Sequence, residues 1–392
     1  MHKNPQLLPD DRPAHAPSTS APVIIIGAGL SGLYAAYLLH KRGVKTIVVE
    51  AKNRIGGRIQ SINLPSSGDD REQFDMGPAW FWPTMNPLFN DLVQELELTA
   101  FEQYSQGDSL IEEAIDLPAR AYGSGQTNQS ASQRLEGGML SMAKALLSSL
   151  DADSVMLNTR VTAISKTGNG DYRVIATKNN QALELHADSV ITTIPLRLMA
   201  QSIQFMPELP TSVTEKMRSL PTWMAAHAKI MAIYPTPFWR AQGHSGSAMS
   251  YLGPLAEIHD ASPNTASDQL AQGALFGFFG VNAAGRRTAG EATLKAMVIR
   301  QLTRLFGPQA AEPLALELQD WSREEFIATR DDQSNIMHPA YGLQTANGGS
   351  EHPHLFFAGT EAATRTGGYL EGALEAAQTA VNNWIALTID NH

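Results

Sequence analysis

Two glycine-rich turns, far apart in the chain, are built to hold something negative. The first is Gly27-Ala28-Gly29-Leu30-Ser31-Gly32. It follows an apolar run at 23–26 and opens a stretch in which Leu33, Tyr34, Tyr37, Leu38 and Lys41 keep helical spacing. A helix N-terminus offers unpaired N–H groups and the positive end of a dipole, which suits a phosphate. In this G-x-G-x-x-G pattern Gly27 permits the tight turn, Gly29 lets a pyrophosphate approach the backbone, and Gly32 lets helix and strand pack closely. Glu50 ends the next strand, 45–50, where its carboxylate can accept from ribose hydroxyls and repel a 2′-phosphate. Strand, turn, helix, strand and terminal acid together mark a dinucleotide site. The second turn is Gly367-Gly368, which runs into an alanine-rich helical pattern at about 368–387. Between them, Lys229 stands among apolar residues in the strand candidate 224–234, an unusual and costly place for a charge if buried.

The elements that must position these residues are partly legible. After the first unit, Leu92, Val93, Leu96 and Leu98 predict a helix following the turn at 83–87. Residues 103–134 are polar and read as loop or irregular excursion. A helix is expected over 139–150, strands near 155–164 and 172–177, two more within 183–195, a helix at 294–306 and a strand at 355–358. Strands and helices interleave, so the class is α/β (α+β overall) around a Rossmann-type core. A second domain built on a mixed sheet is expected to hold substrate. The expected division is 22–95, 134–200 and 322–388 for the cofactor and 96–133 and 201–321 for the substrate. Residues 1–21 read as a disordered tail without the apolar core of a signal peptide.

Composition excludes several classes. The 392 residues carry a formal net charge of −10, which argues against a nucleic-acid surface. There is no cysteine, so disulfides, thiolate metal sites, a cysteine nucleophile and thioether attachment of a cofactor are out. No apolar run reaches the ~20 residues of a membrane span. A soluble, cytoplasmic protein is the expectation, with no membrane partner and with a homodimer left open. Gly123–Gly125 and Gly168–Gly170 lack the third glycine of a second nucleotide site, no H-e-x-x-H type metal spacing occurs, and no serine sits in G-x-S-x-G.

Residues 50–58, Glu50-Ala51-Lys52-Asn53-Arg54-Ile55-Gly56-Gly57-Arg58, resemble the E-A-x-x-R-x-G-G-R signature of the flavin-dependent amine oxidase family. Further segments follow in that family's order. Phe74-Asp75-Met76-Gly77-Pro78-Ala79-Trp80 through Pro83-Thr84 is similar to F-D-x-G-x-x-W-x-G-P-T. Glu136-Gly137-Gly138-Met139 is similar to its G-G-M turn. Phe357-Ala358-Gly359-Thr360-Glu361 and Gly368-Tyr369-Leu370-Glu371-Gly372-Ala373 are similar to its C-terminal F-A-G-T-E and G-Y-x-E-G-A. The likeness covers most of residues 22–388.

The resemblance implies FAD as cofactor, and it assigns roles. The first glycine turn, with Leu30 and Ser31, would take the pyrophosphate, joined by Arg58. Arg54 would pack beside the adenosine half, Glu50 at its ribose and Val161 at adenine. Ala51, Gly57, Gly77, Pro78 and Ala79 would also contact the cofactor, and Trp321 would stand near the flavin. Gly359, Thr360, Glu361, Gly368, Tyr369 and Leu370 would hold the other extremity, where the final helix points at the flavin N1 and C2 carbonyl and stabilises charge there. Lys229 would be the strand lysine that holds a water against N5 and is linked to oxygen reactivity. Tyr369 and Trp80 would wall the substrate. The implied activity is oxidation of a small-molecule amine by molecular oxygen, hydride passing to N5 and peroxide forming. A desaturase or oxidase of a larger apolar substrate, and an FAD-stabilised binding protein, stay open as alternatives.

Three departures qualify the likeness. With no cysteine after Trp321, the flavin is expected to be non-covalent. The family's second slot tyrosine would fall near Arg330–Asp331, where no aromatic stands; Trp80, Phe81, Trp82, Trp223 and His227 are the candidates to replace it. The segment 98–137 is too short for the helical insertion that roofs the cavity in large members. No arginine is placed in the pocket as an obvious partner for a substrate carboxylate; Arg365 and Arg330 are candidates by position only.

Overall fold

The computed structural model describes residues 21–64, 73–123, 132–264, 272–334, 337–343, 345 and 347–389. The expected tail, apart from Ala21, and most of 123–131 lie outside them. The apolar run becomes the strand Val23–Ile26, fully enclosed on both faces, and it sits at the centre of a five-stranded sheet. Thr46–Val49 pairs on one side of it and Ser189–Thr192 on the other. Val155–Met156 and Leu355–Phe357 form the edges, and every pairing is parallel. A strand buried on both faces has no polar side to show, which is why it reads as a continuous apolar run.

Helices Leu30–His40, Leu140–Ser148 and Leu370–Ile389 cover one face, where Val23, Ile25, Leu33, Ala36, Met142 and Leu374 share one core. Ile24, Ile26 and Val190 on the opposite face pack against a four-stranded sheet through Val161, Ile164, Tyr172 and Val174. That sheet runs Gln181–Ala187, Tyr172–Lys178, Thr159–Lys166, Gln204–Met206.

A seven-stranded mixed sheet makes up the rest. Its order is Ala315–Asp320, Ala228–Tyr234, Gly273–Phe279, Leu255–Asp260, His244–Ser250, Asp108–Glu112, Arg120–Tyr122. Its two faces differ sharply. Ile230, Ala232, Tyr234, Leu275 and Phe279 pack under the helix Glu291–Phe306. The alternate residues Met231, Ile233 and Phe276 join Phe74, Met76 and Trp80 on the other side. Period-two alternation thus gives one face to the core and one to a cavity.

Several expectations fail here. The excursion 103–134 is not irregular throughout: Asp108–Glu112 and Arg120–Tyr122 extend the seven-stranded sheet, and Gln133–Leu135 pairs with Ala100–Glu102. The strand expected over 224–234 begins only at Ala228, because Met224 takes a left-handed φ of 63° in the turn before it. Strands 244–250, 255–260, 273–279 and 315–320 and helices 196–202, 211–219 and 283–289 had no clear sequence pattern. No helix among the described residues is long and apolar enough to cross a membrane.

Candidate active site

The first glycine turn closes over the carboxyl end of Val23–Ile26, where ligands sit in open parallel sheets. Gly27 N–H donates to Val49 O (2.8 Å), and Ala28 N–H donates to Glu50 Oε2 (2.8 Å). Lys52 N–H donates to the other oxygen, Oε1 (2.9 Å). The 7% exposed carboxylate of Glu50 is therefore pinned by backbone amides at the wall of a cavity of about 880 Å³. Gly29 and Gly32 do different things. A Cβ on Gly32 would stand 1.9 Å from Gly27 O, so its absence is what lets helix and turn pack. A Cβ on Gly29 would meet nothing closer than Gly56 O and Gly57 Cα at 3.9 Å, in the cleft facing that second glycine pair. Ser31 Oγ donates to Ala358 O and ties the first helix to the C-terminal strand segment.

The two arginines part company. Arg58 lines the cavity, its Nη1 2.8 Å from the enclosed Glu361 carboxylate. Arg54 does not reach the wall. It donates to the carbonyls of Ile55, Ile59 and Gly57 (3.1, 3.2 and 3.0 Å) and to Gln60 Oε1 (3.0 Å), and so knits the 54–60 loop. Glu361, Gly32 and Gly359 likewise stand behind the wall rather than on it. The other expected cofactor contacts, from Gly27, Gly29, Leu30 and Ser31 through Ala51, Gly57, Gly77, Pro78, Ala79 and Val161 to Trp321, Thr360, Gly368, Tyr369 and Leu370, all face the one cavity.

At the far end, Thr360 holds the second glycine turn. Its Oγ1 accepts from Gly368 N–H (3.0 Å) and donates to Tyr369 O (2.9 Å). Gly368 has φ of 86°, a left-handed value that only glycine takes without strain. Leu370–Ile389 starts just after it, and the first turn of that helix lines the cavity through Leu370 and Ala373. Glu371 in that first turn is committed elsewhere, accepting from Leu88 and Phe89 N–H at the start of another helix (both 3.0 Å).

The aromatic wall is completed by residues other than those near 330. Tyr369 stacks on His338 (4.7 Å between centroids, 12° between planes) and meets Trp223 edge-on at 6.4 Å. His338 Nε2 donates to Gly367 O (2.9 Å), and Trp223 packs against Gly368. Trp80 meets Phe276 at 5.2 Å and His259 at 4.9 Å, with its indole N–H on Gln103 Oε1 (2.7 Å). Trp80 and Trp82 line the cavity, while Phe81 is a core residue packed on Phe89. Arg330 and Arg365 are not on the wall; Arg365 pairs with Glu375 at 3.4 Å.

Lys229 is 1% exposed, and its Nζ donates to Gly77 O (3.0 Å) while sitting 3.9 Å over the Phe276 ring. Burial pushes its ammonium down to about 7, partly countered by Asp75 and reinforced by Arg134. Sequence reasoning gave no role to those two. Asp75 is buried, accepts from Ser61 Oγ (2.6 Å) and Met139 N–H (2.8 Å), and is pushed above the usual carboxylate range by desolvation. Arg134, also buried, donates to Ser262 O and Ala261 O (2.9 and 3.0 Å). His227 lies on the wall, and burial lowers its pKa.

These residues fit an elongated dinucleotide. One cavity runs from a helix start flanked by a pinned carboxylate and Arg58 to a second helix start with an aromatic wall and a buried lysine. The profile for flavin containing amine oxidoreductases matches residues 93–384, and the profile for NAD(P)-binding Rossmann-like domains matches 25–96. The chain belongs to the flavin-containing amine oxidoreductase family. It is thus a flavin-dependent oxidoreductase of that family, and FAD is its expected cofactor. The chain is 24% identical to a probable flavin-containing monoamine oxidase A of Dictyostelium discoideum, with 92% of this chain and 96% of that protein covered. It is 25% identical to the flavin-containing amine oxidase A of Sus scrofa, over 91% of this chain and 84% of the relative. Among solved structures, a putrescine oxidase triple mutant superposes with a TM-score of 0.77 at 21% identity, covering 94% and 99% of the two chains. The cyclohexylamine oxidase of Brevibacterium oxydans gives 0.74 at 20% identity, covering 95% and 99%. Those two likenesses speak for the fold.

Because this family member has no cysteine, denaturation should release all of its flavin. Acid precipitation followed by absorbance of pellet and supernatant checks this; yellow colour staying in the pellet would contradict it.

Proposed function

We propose that this amine oxidase family member oxidises an amine at the carbon bearing nitrogen, with oxygen as the final acceptor. The observation that carries the reading is the placement of buried Lys229 and the Tyr369–Trp223–Trp80 walls on one cavity with both glycine turns. In this reading Gly27, Gly29, Glu50 and Arg58 hold the adenosine diphosphate half of FAD, and Gly368–Leu370 the flavin end. The seven-stranded sheet carries the substrate. Bound FAD supplies the hydride acceptor, at N5, and the electron pair that turns oxygen into hydrogen peroxide.

The protein's own part is positioning and proton control. The aromatic walls strip water from the amine and so favour its neutral form, the form able to release a hydride equivalent. Lys229, held near pH 7 by burial, can keep or give a proton at Nζ within the physiological range. No side-chain base is needed at the substrate carbon.

The test is anaerobic mixing of the yellow protein with a panel of primary and secondary amines, then admission of air. Bleaching by amines and one peroxide per turnover are expected. Bleaching only by apolar non-amines would favour a desaturase, and none at all would end the oxidase reading.

A further inference from the structure

Two distant parts of the chain meet at the adenosine end of the cavity. Ala51, Lys52, Arg160 and Val161 line it from the cofactor side, and Glu325, Phe326 and Ile327 line it from residues 322–328. That segment leaves the seven-stranded sheet at Asp320 and runs to the turn at Thr329.

Both of its ends are firmly anchored. At the first, buried Arg286 pairs with Asp320 (2.7 Å), Trp321 N–H donates to His227 O (3.0 Å), and Trp321 and Ile327 pack on Ala225. At the second, Asp332 Oδ2 accepts from Thr329 N–H and Oγ1 (2.9 and 2.7 Å), and Arg197 of the helix Leu196–Ser202 donates to Asp332 Oδ1 (2.6 Å). The middle is held differently. The N–H groups of Glu324, Ile327 and Ala328 donate within the segment, to Trp321 O and Glu324 O (3.2, 3.0 and 2.9 Å). Among the described residues no backbone bond joins 322–328 to 50–53 or 158–161. Side chains make that junction: Lys52 pairs with Glu324, Arg160 pairs with Glu325 (2.8 Å), and the Arg160 guanidinium lies 5.5 Å from the Phe326 ring centre. The Arg160–Glu325 pair is open to solvent, with 46% and 66% of its side chains exposed, so it is weak and screened by salt. A segment fixed at its ends and fastened in the middle by ion pairs can lift without unfolding a strand or helix.

The geometry points to residues 322–328 as a strap that lifts to let FAD enter and leave, with Lys52–Glu324 and Arg160–Glu325 as its fastenings. Both pairs join protein to protein. Breaking them changes how often the strap lifts rather than what bound FAD touches, so uptake and release should quicken together and the Kd should hold. A side chain that served as a cofactor contact would change release alone, and the Kd with it.

The chain has no cysteine, so a pair of thiols can be placed without competition. In one arm the double variant Arg160→Cys/Glu325→Cys is joined with dithio-bis-maleimidoethane, a linker that dithiothreitol cuts. Joined apoprotein should lose measurable FAD uptake over the time in which the cut form fills, and joined holoenzyme should keep its FAD on dilution, both followed by flavin fluorescence. Uptake by the joined form at the rate of the cut form overturns the strap. In the other arm Glu324→Gln and Glu325→Gln should each speed uptake and release by one common factor, up to about fivefold, the larger for Glu324→Gln because its pair is better shielded. Release that quickens alone with a rising Kd, or rates that neither substitution moves, also overturns it.

Discussion

Gly29→Ala and Gly32→Ala, three residues apart in one motif, should fail in opposite ways. Gly29 has φ −75° and ψ −179°, values open to any L-residue, and its added Cβ would have 3.9 Å of clearance. The apoprotein should lose only the N-cap preference of glycine over alanine, about 1 kcal/mol or less. The methyl group would nevertheless fill the cleft between the two glycine loops, the path proposed for the pyrophosphate. FAD affinity should drop by about tenfold or more, since a displaced charged hydrogen bond is worth ~1.5–3 kcal/mol. Gly32→Ala places its Cβ 1.9 Å from Gly27 O, a backbone atom that cannot swing away. Overpacking of that kind costs about 3 kcal/mol or more, beyond what alanine's helix propensity returns. Urea unfolding of the apoproteins together with FAD titration by fluorescence quenching separates the two. Equal loss of stability in both variants would show that the motif acts as one structural unit.

Lys229→Met should make the apoprotein more stable at pH 6 than the parent, and much less so at pH 9. A buried lysine whose pKa falls from 10.5 to about 7 burdens the fold fully below about 7. Between those values the unfolded chain binds the proton that the folded one has released, so stability rises with pH, and above 10.5 the burden is gone. At ~1.4 kcal/mol per pH unit the full burden is on the order of 5 kcal/mol. Loss of the bond to Gly77 O takes back ~1–2 kcal/mol, leaving a net gain of about 3 kcal/mol at pH 6 and little at pH 9. The same variant should slow reoxidation of the reduced holoenzyme by about 10²-fold if Nζ supplies the proton. Stopped-flow mixing with oxygen measures this, and an unchanged oxidative rate would remove the lysine from the chemistry.

What could be read from the sequence depended on how local the cause was. The turn at 27–32 and Glu50 lie within one strand–helix–strand unit, and their geometry follows from neighbours in the chain. Arg54 and Arg58 look alike in sequence; which one reaches the cavity is decided by how the 54–60 loop folds on its own carbonyls. The seven-stranded sheet was largely hidden because its strands are poor by composition. His244–Ser250 is short of β-branched residues, and Gly273–Phe279 carries glycines where backbones come close. Trp223 gains its meaning only from tertiary packing against Gly368, so in the sequence it was one candidate among several.

The cavity is assembled from both ends of the chain: Ser31 binds Ala358, and the last helix lies against the first. A ribosome-bound nascent polypeptide therefore carries half a binding site until residues near 370 have emerged. Until residues 355–357 emerge, the growing chain also lacks one edge strand of its parallel sheet.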